Sequence, residues 1–221
     1  MPHRYFPILI LALAVFVGAC SKTEPDAMTT RIELTQNWQL AAATATDATG
    51  EHVASPGFDS TGWAPATVPS TPMAALVASG KIANPYFDRA LEHVPAEQFD
   101  SPWWYRTEFQ VDAPPAAGAR LEFEGINYRA DVWLNGHKIA DQEEVAGAFR
   151  MFDLDVSDAL VEGTNALAVL VYPPQPGDPT IGFVDWNPLP PDRNMGLWRP
   201  VVLRLTKGVS LERVFVRSDL D

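Results

Sequence analysis

From Trp103 onward the chain alternates apolar and polar residues in short runs, and that period of two confines the fold to β-structure. WWYRTEFQV puts Tyr105, Thr107, Phe109 and Val111 on one face, and Trp104, Arg106, Glu108 and Gln110 on the other. RLEFEGI sends Leu121 and Phe123 inward, with Arg120, Glu122 and Glu124 outward. In YRADVWLNGHKIA the Asn135-Gly136 pair supplies the two positive-φ residues of a tight hairpin turn, with Ala130, Val132 and Leu134 on one side. FRMFDLDVSDAL points Phe152, Leu154 and Val156 inward; NALAVLVY is apolar on both faces, as a central strand is. RPVVLRLT and VSLERVFVRSDL add two more runs. About eight strands with turn signals between them predict an all-β fold, a jelly-roll β-sandwich.

Before Trp103 the signals are sparser. IELTQNWQL reads as the first strand, starting near Arg31, with Trp38 and Leu40 entering the core. Residues 41–70 form an irregular excursion that Phe58 and Trp63 pin to the sandwich, since large aromatics bury by default. One short helix follows: Ser70 or Thr71 as cap, Pro72 in the first turn, and Gly80 as terminator. The stretch from Gly80 to Pro102 is a long connection without periodicity, and it carries Asn84-Pro85-Tyr86-Phe87 near its start.

The N-terminus reads as a targeting segment. A basic residue, Arg4, precedes an apolar run from Ile8 to Val17, too short to span a bilayer. The run ends in Val17-Gly18-Ala19-Cys20, which resembles the lipobox of bacterial lipoproteins, and Cys20 is the sole cysteine. The resemblance implies cleavage before Cys20, lipidation of that residue, and an exported, membrane-anchored protein (outer membrane or periplasm-facing). Ser21 after the cysteine is compatible with outer-membrane sorting, and the polar residues that follow read as a tether.

A formal charge of -12 argues against nucleic acid as a partner. One cysteine and four scattered histidines give no zinc-ligand spacing, and no cofactor is implied. There is no Gly-x-Ser-x-Gly elbow and no phosphate-cradling loop. Glu122, Glu124, Asp153, Asp155 and the Glu143-Glu144 pair read as solvated charge, so no catalytic residue is assigned.

One stretch stands apart: GFVDWNPLPPDRNMGLWRPV, from Gly182 to Val201. Four prolines exclude a regular helix and stiffen the chain. Among them Asp185, Trp186, Asn187, Asp192, Arg193 and Asn194 offer carboxylate, indole and amide groups suited to a polyhydroxylated ligand. The same composition suits a loop that merely covers one end of a sandwich with its tryptophan buried. Exposure of Trp186 separates the two readings.

Taken together, WWYRTEFQV, LEFEGINYRADVWLNGHKIA, DLDVSDAL with EGTNALAV, and DWNPLPPDRNMGLWRPV resemble the N-terminal sugar-binding domain of family 2 glycoside hydrolases. The final motif looks closest to exo-β-D-glucosaminidases; β-mannosidases of the family show W-D-W-G-P, from which Val184 and Asn187 depart. The resemblance implies a jelly-roll, galactose-binding-like domain over residues 31–206, between a signal peptide (1–19) with a lipidated tether (20–30) and the start of an immunoglobulin-like domain (207–221). It implies that Asp185, Trp186 and Asn187, with Asn84 more loosely, contact a β-linked glucosaminide or mannoside. The hydrolytic carboxylates would belong to a barrel elsewhere in the same enzyme. A free-standing carbohydrate-binding surface lipoprotein is the alternative.

Overall fold

In the computed structural model, which describes residues 29–113, 118–182, 186–208 and 214–219, two antiparallel sheets face each other across one core. The strands are β1 (Thr29–Glu33), β2 (Trp38–Ala42), β3 (Ala64–Ala66), β4 (Trp103–Val111), β5 (Ala119–Phe123), β6 (Arg129–Leu134), β7 (His137–Ala140), β8 (Phe152–Asp155), β9 (Gly163–Tyr172) and β10 (Val201–Thr206). One sheet runs β1-β10-β5-β8 and the other β3-β2-β4-β9-β6-β7. The chain is thus an all-β sandwich. Cys20, expected as a lipidation site, and the apolar run before it lie outside the described residues, as does part of the last expected strand; residues 214–219 of that strand run carry no strand.

The core between the sheets is built from the inward faces predicted by alternation. Leu121, Phe123, Val201, Leu203 and Phe152 come from one sheet, and Trp38, Leu40, Tyr105, Leu167, Val169, Val132 and Leu134 from the other. β9 lies between β4 and β6, which accounts for its two apolar faces: Leu167, Val169 and Val171 enter this core, and Ala168 packs outward under a second cluster. The hairpin turn forms as expected, with Asn135 at φ 51° and Gly136 at φ 81°.

The first expected strand is two. Asn37 adopts a left-handed φ of 63°, and the chain crosses there from the four-stranded to the six-stranded sheet. Trp38 and Leu40 do enter the core, and the Trp38 indole donates to the Leu34 carbonyl at 2.8 Å across the crossing. β1 includes Thr29 and Thr30, which the sequence reading gave to the tether.

Helix α2 (Pro72–Ala78) has Thr71 as its cap, accepting from the Ala74 amide at 3.2 Å, and Gly80 follows at φ 73°. A second, four-residue helix, α1 (Gly50–Val53), was not legible in the sequence. It belongs to the excursion over the outer face of the six-stranded sheet, where Val53, Ala54, Phe58 and Trp63 pack on Trp104, Trp133 and Ala168. Buried Arg106 reaches out of β4 to the Val53 and Ser55 carbonyls, both at 2.9 Å, and to Glu108, which in turn accepts from the Gly57 amide.

The outward acids of the other sheet are not free solvated charge. Arg120 pairs with Asp153 at 2.8 Å, Arg204 bridges Asp153 and Glu122, and Arg31 meets Glu124 at 2.9 Å. Arg120 and Arg204 meet acids on the adjacent strand, and Arg204 and Arg31 also reach acids one strand further on, so the face carries a ladder of ion pairs.

Candidate functional site

Between β9 and β10 the chain leaves the sandwich as an arch. Its first foot is Pro173 to Thr180. Asp178 takes both guanidinium nitrogens of Arg129 at 2.6 Å and the Gln175 amide at 2.7 Å. The Arg129 hydrogen bonds outweigh burial and hold the Asp178 carboxyl below its ordinary range. Just before this foot, burial and then the hydrogen bond to Asp131 push the Tyr172 phenol above its ordinary value.

The second foot, Asp192 to Leu197, is stitched to the body at three places. Asn127 exchanges both backbone hydrogen bonds with Gly196, at 2.9 and 2.7 Å, and the Ser70 amide donates to Leu197. Asp192, only 2% exposed, accepts the Met73 amide at 3.1 Å in the first turn of α2, and the Asn194 amide at 3.0 Å. A carboxylate at that helix end satisfies a donor with no partner inside the helix. Asp192 is therefore a structural anchor, not the displayed ligand group that the sequence suggested. Burial, and then the Asp192 charge, raise the pKa of the enclosed Tyr105 phenol, whose hydroxyl lies against the Ser70 carbonyl.

Between the feet opens a cleft of about 360 Å³, lined by Pro174, Thr180, Ile181, Leu189, Arg193 and Asn194 among others. Its walls combine apolar platforms with amide, hydroxyl and guanidinium groups, a mixture suited to a ligand with hydrophobic faces and polar edges. Trp186, at the crown of the arch, is 81% exposed, and Asn187 beside it is exposed too. A buried cover tryptophan is thereby excluded. Asp185 lies outside the described residues.

Asn84 is exposed, and its side chain accepts the Tyr86 amide at 3.0 Å within its own turn. What joins the long connection to the arch is instead an ion pair between Asp100 and Arg193. Tyr86 and Phe87, 93% and 76% exposed, present aromatic surface on the same connection. Sequence reasoning missed Asn127, Thr180, Arg129 and Asp178. The one signal available was an asparagine wedged between Ile126 and Tyr128, where a buried amide demands partners.

Comparison with known proteins agrees with this architecture. Residues 38–179 match the glycosyl hydrolase 2 galactose-binding domain-like family, a span that runs into the first foot of the arch and stops before its crown. The exo-β-D-glucosaminidase of Amycolatopsis orientalis is 41% identical over 170 residues, covering 76% of this chain and 16% of that protein. The crystal structure of the exo-chitosanase of Amycolatopsis orientalis superposes with a TM-score of 0.75 at 37% identity, over 80% of this chain and 20% of that one. A β-D-mannosidase from Dictyoglomus thermophilum gives 0.58 at 25% identity, over 79% of this chain and 22% of that one. The chain thus spans about a fifth of the length of the relatives it matches. On the matched residues and the shared sandwich, it belongs to the galactose-binding-like N-terminal domains of family 2 glycosyl hydrolases.

Proposed function

We propose that this chain is the carbohydrate-binding domain of an exported exo-β-D-glucosaminidase-type glycoside hydrolase, and that its arch completes the subsite for the terminal sugar. Trp186 supplies a flat face for the pyranose ring, Asn187 a donor and acceptor, and Asp185 a carboxylate for the sugar hydroxyls. For a glucosamine unit that carboxylate also offsets the ammonium charge. Asn84, on the exposed connection, is a further contact in this reading. Bond cleavage falls to carboxylates of a barrel in the same enzyme, and hydrogen bonds to sugar hydroxyls that tighten in the transition state contribute several kcal/mol. Lipidation at Cys20 would hold the protein on a membrane facing its substrate.

The observation that carries the proposal is an 81%-exposed tryptophan on a loop with both ends anchored. An unanchored exposed indole would need no explanation; one held up by so many partners is costly unless it meets something. The test uses the complete gene product and a β-linked glucosamine oligosaccharide. Asp185→Asn and Trp186→Ala should each weaken binding, and raise KM if the sugar is hydrolysed, by roughly tenfold. Unchanged binding in both variants would sink the reading.

A further inference from the structure

One side chain reaches both feet of the arch. Asn127 is fully buried, and its amide nitrogen donates to the carbonyls of Arg193 at 3.2 Å and Asn194 at 2.8 Å. Its amide oxygen accepts from the Thr180 hydroxyl at 2.6 Å. Two carbonyls on one side and a hydroxyl on the other fix the amide orientation, because the reverse would oppose oxygen to oxygen. Arg193 and Asn194 are both left-handed, with φ of 51° and 56°, and both send their carbonyls to this one amide. Residue 180 is thereby tied to residues 193–194, and the separation of the two feet is fixed.

We infer that Asn127, acting with Thr180, is a positioning residue for saccharide binding: it sets the separation of the two feet of the arch and so the placement of Trp186 and Asn187 at its crown. This rests on the reading of the arch as a sugar contact. The physical argument is preorganisation. A loop of this length with one end free samples many spans, and a ligand must select one of them at an entropic cost. Binding both ends to one buried amide removes that choice before the ligand arrives. The amide is complete only with Thr180, whose side chain is half-buried and carries this hydrogen bond from the far side of the cleft.

The experiment compares Thr180→Val, Thr180→Ala and Thr180→Ser with Asp185→Asn and Trp186→Ala in the complete gene product. A β-1,4-linked glucosamine trisaccharide serves as probe. Valine keeps the shape and removes the donor, so affinity should fall about fivefold, as expected of lost preorganisation, with a near-unchanged melting midpoint. Tryptic cleavage after Arg193 should quicken in Thr180→Val and Thr180→Ala, and serine should restore both affinity and protection. Wild-type affinity in Thr180→Val and Thr180→Ala, with weakened binding in Asp185→Asn, overturns the positioning role and leaves the sugar site standing. Wild-type affinity in Asp185→Asn and Trp186→Ala overturns the sugar site, and the positioning role falls with it.

Discussion

The indole of Trp133 occupies the space a side chain on Gly50 would need: a Cβ there would sit 2.2 Å from Cε2 and 2.3 Å from Cζ2. Trp133 is buried under α1 and donates to Glu51 at 3.3 Å, so it has nowhere to retreat. Alanine in place of glycine gains at most ~1 kcal/mol of helix propensity, less at a helix start. Overpacking costs ~1–3 kcal/mol or more. Steric conflict wins, and Gly50→Ala should lower stability by about 2 kcal/mol in urea denaturation. A variant as stable as the parent would show that the excursion over this face moves freely.

The Arg129–Asp178 pair gives the first foot of the arch a pH dependence. The folded-state pKa of Asp178 lies below its ordinary value, so its contribution is complete above pH ~3.9 and is lost as pH falls below that value through the folded pKa. Asp178→Asn should remove about 2 kcal/mol at neutral pH, the scale of hydrogen bonds to a charged group. It should also flatten the acid limb of stability against pH. Parallel acid limbs for parent and variant would contradict the assignment.

Asp192 offers a different test, since it lies in the arch motif yet faces inward. Asp192→Ala leaves the Met73 and Asn194 amides without their acceptor and should cost about 1–3 kcal/mol. The loss should appear in thermal unfolding. Full stability in this variant would mean that the Thr71 cap suffices for α2 without Asp192.

Trp186 should behave in the opposite way. An 81%-exposed side chain contributes little to folding, so Trp186→Ala should change stability by less than ~0.5 kcal/mol while weakening saccharide binding. A drop in stability of several times that size would place the indole in the fold rather than in the site.

Local pattern was legible and distant partnership was not. The Asn135-Gly136 turn, the Thr71 and Pro72 helix start and the inward residues of β5 each follow from neighbours a few residues away. Asp192 looked like a ligand group because its partner, the Met73 amide, lies 119 residues earlier. Likewise the acids on β5 and β8 read as solvated because nothing local shows that Arg204 lies between them. The split of residues 31–42 into two sheets turned on one left-handed asparagine, Asn37, within an otherwise strand-like run. In the arch, the prolines and the tryptophan marked the loop but left open whether Trp186 is buried or exposed, which only the fold decides. Its footings were not legible, because Asn127 and Arg129 lie 66 and 49 residues before Arg193 and Asp178, their partners in the arch.

Thr29 lies opposite Thr206 in the antiparallel register of β1 and β10. Whatever precedes the one and whatever follows the other therefore emerge side by side, about one strand spacing apart. The root of the arch meets β10 at its opposite tip, five residue steps and so about 17 Å away. A leash attached ahead of Thr29 would moor the sandwich at the end of β10 opposite the root of the arch. A unit that continues from Thr206 starts at that same end, a strand's length from the root of the arch.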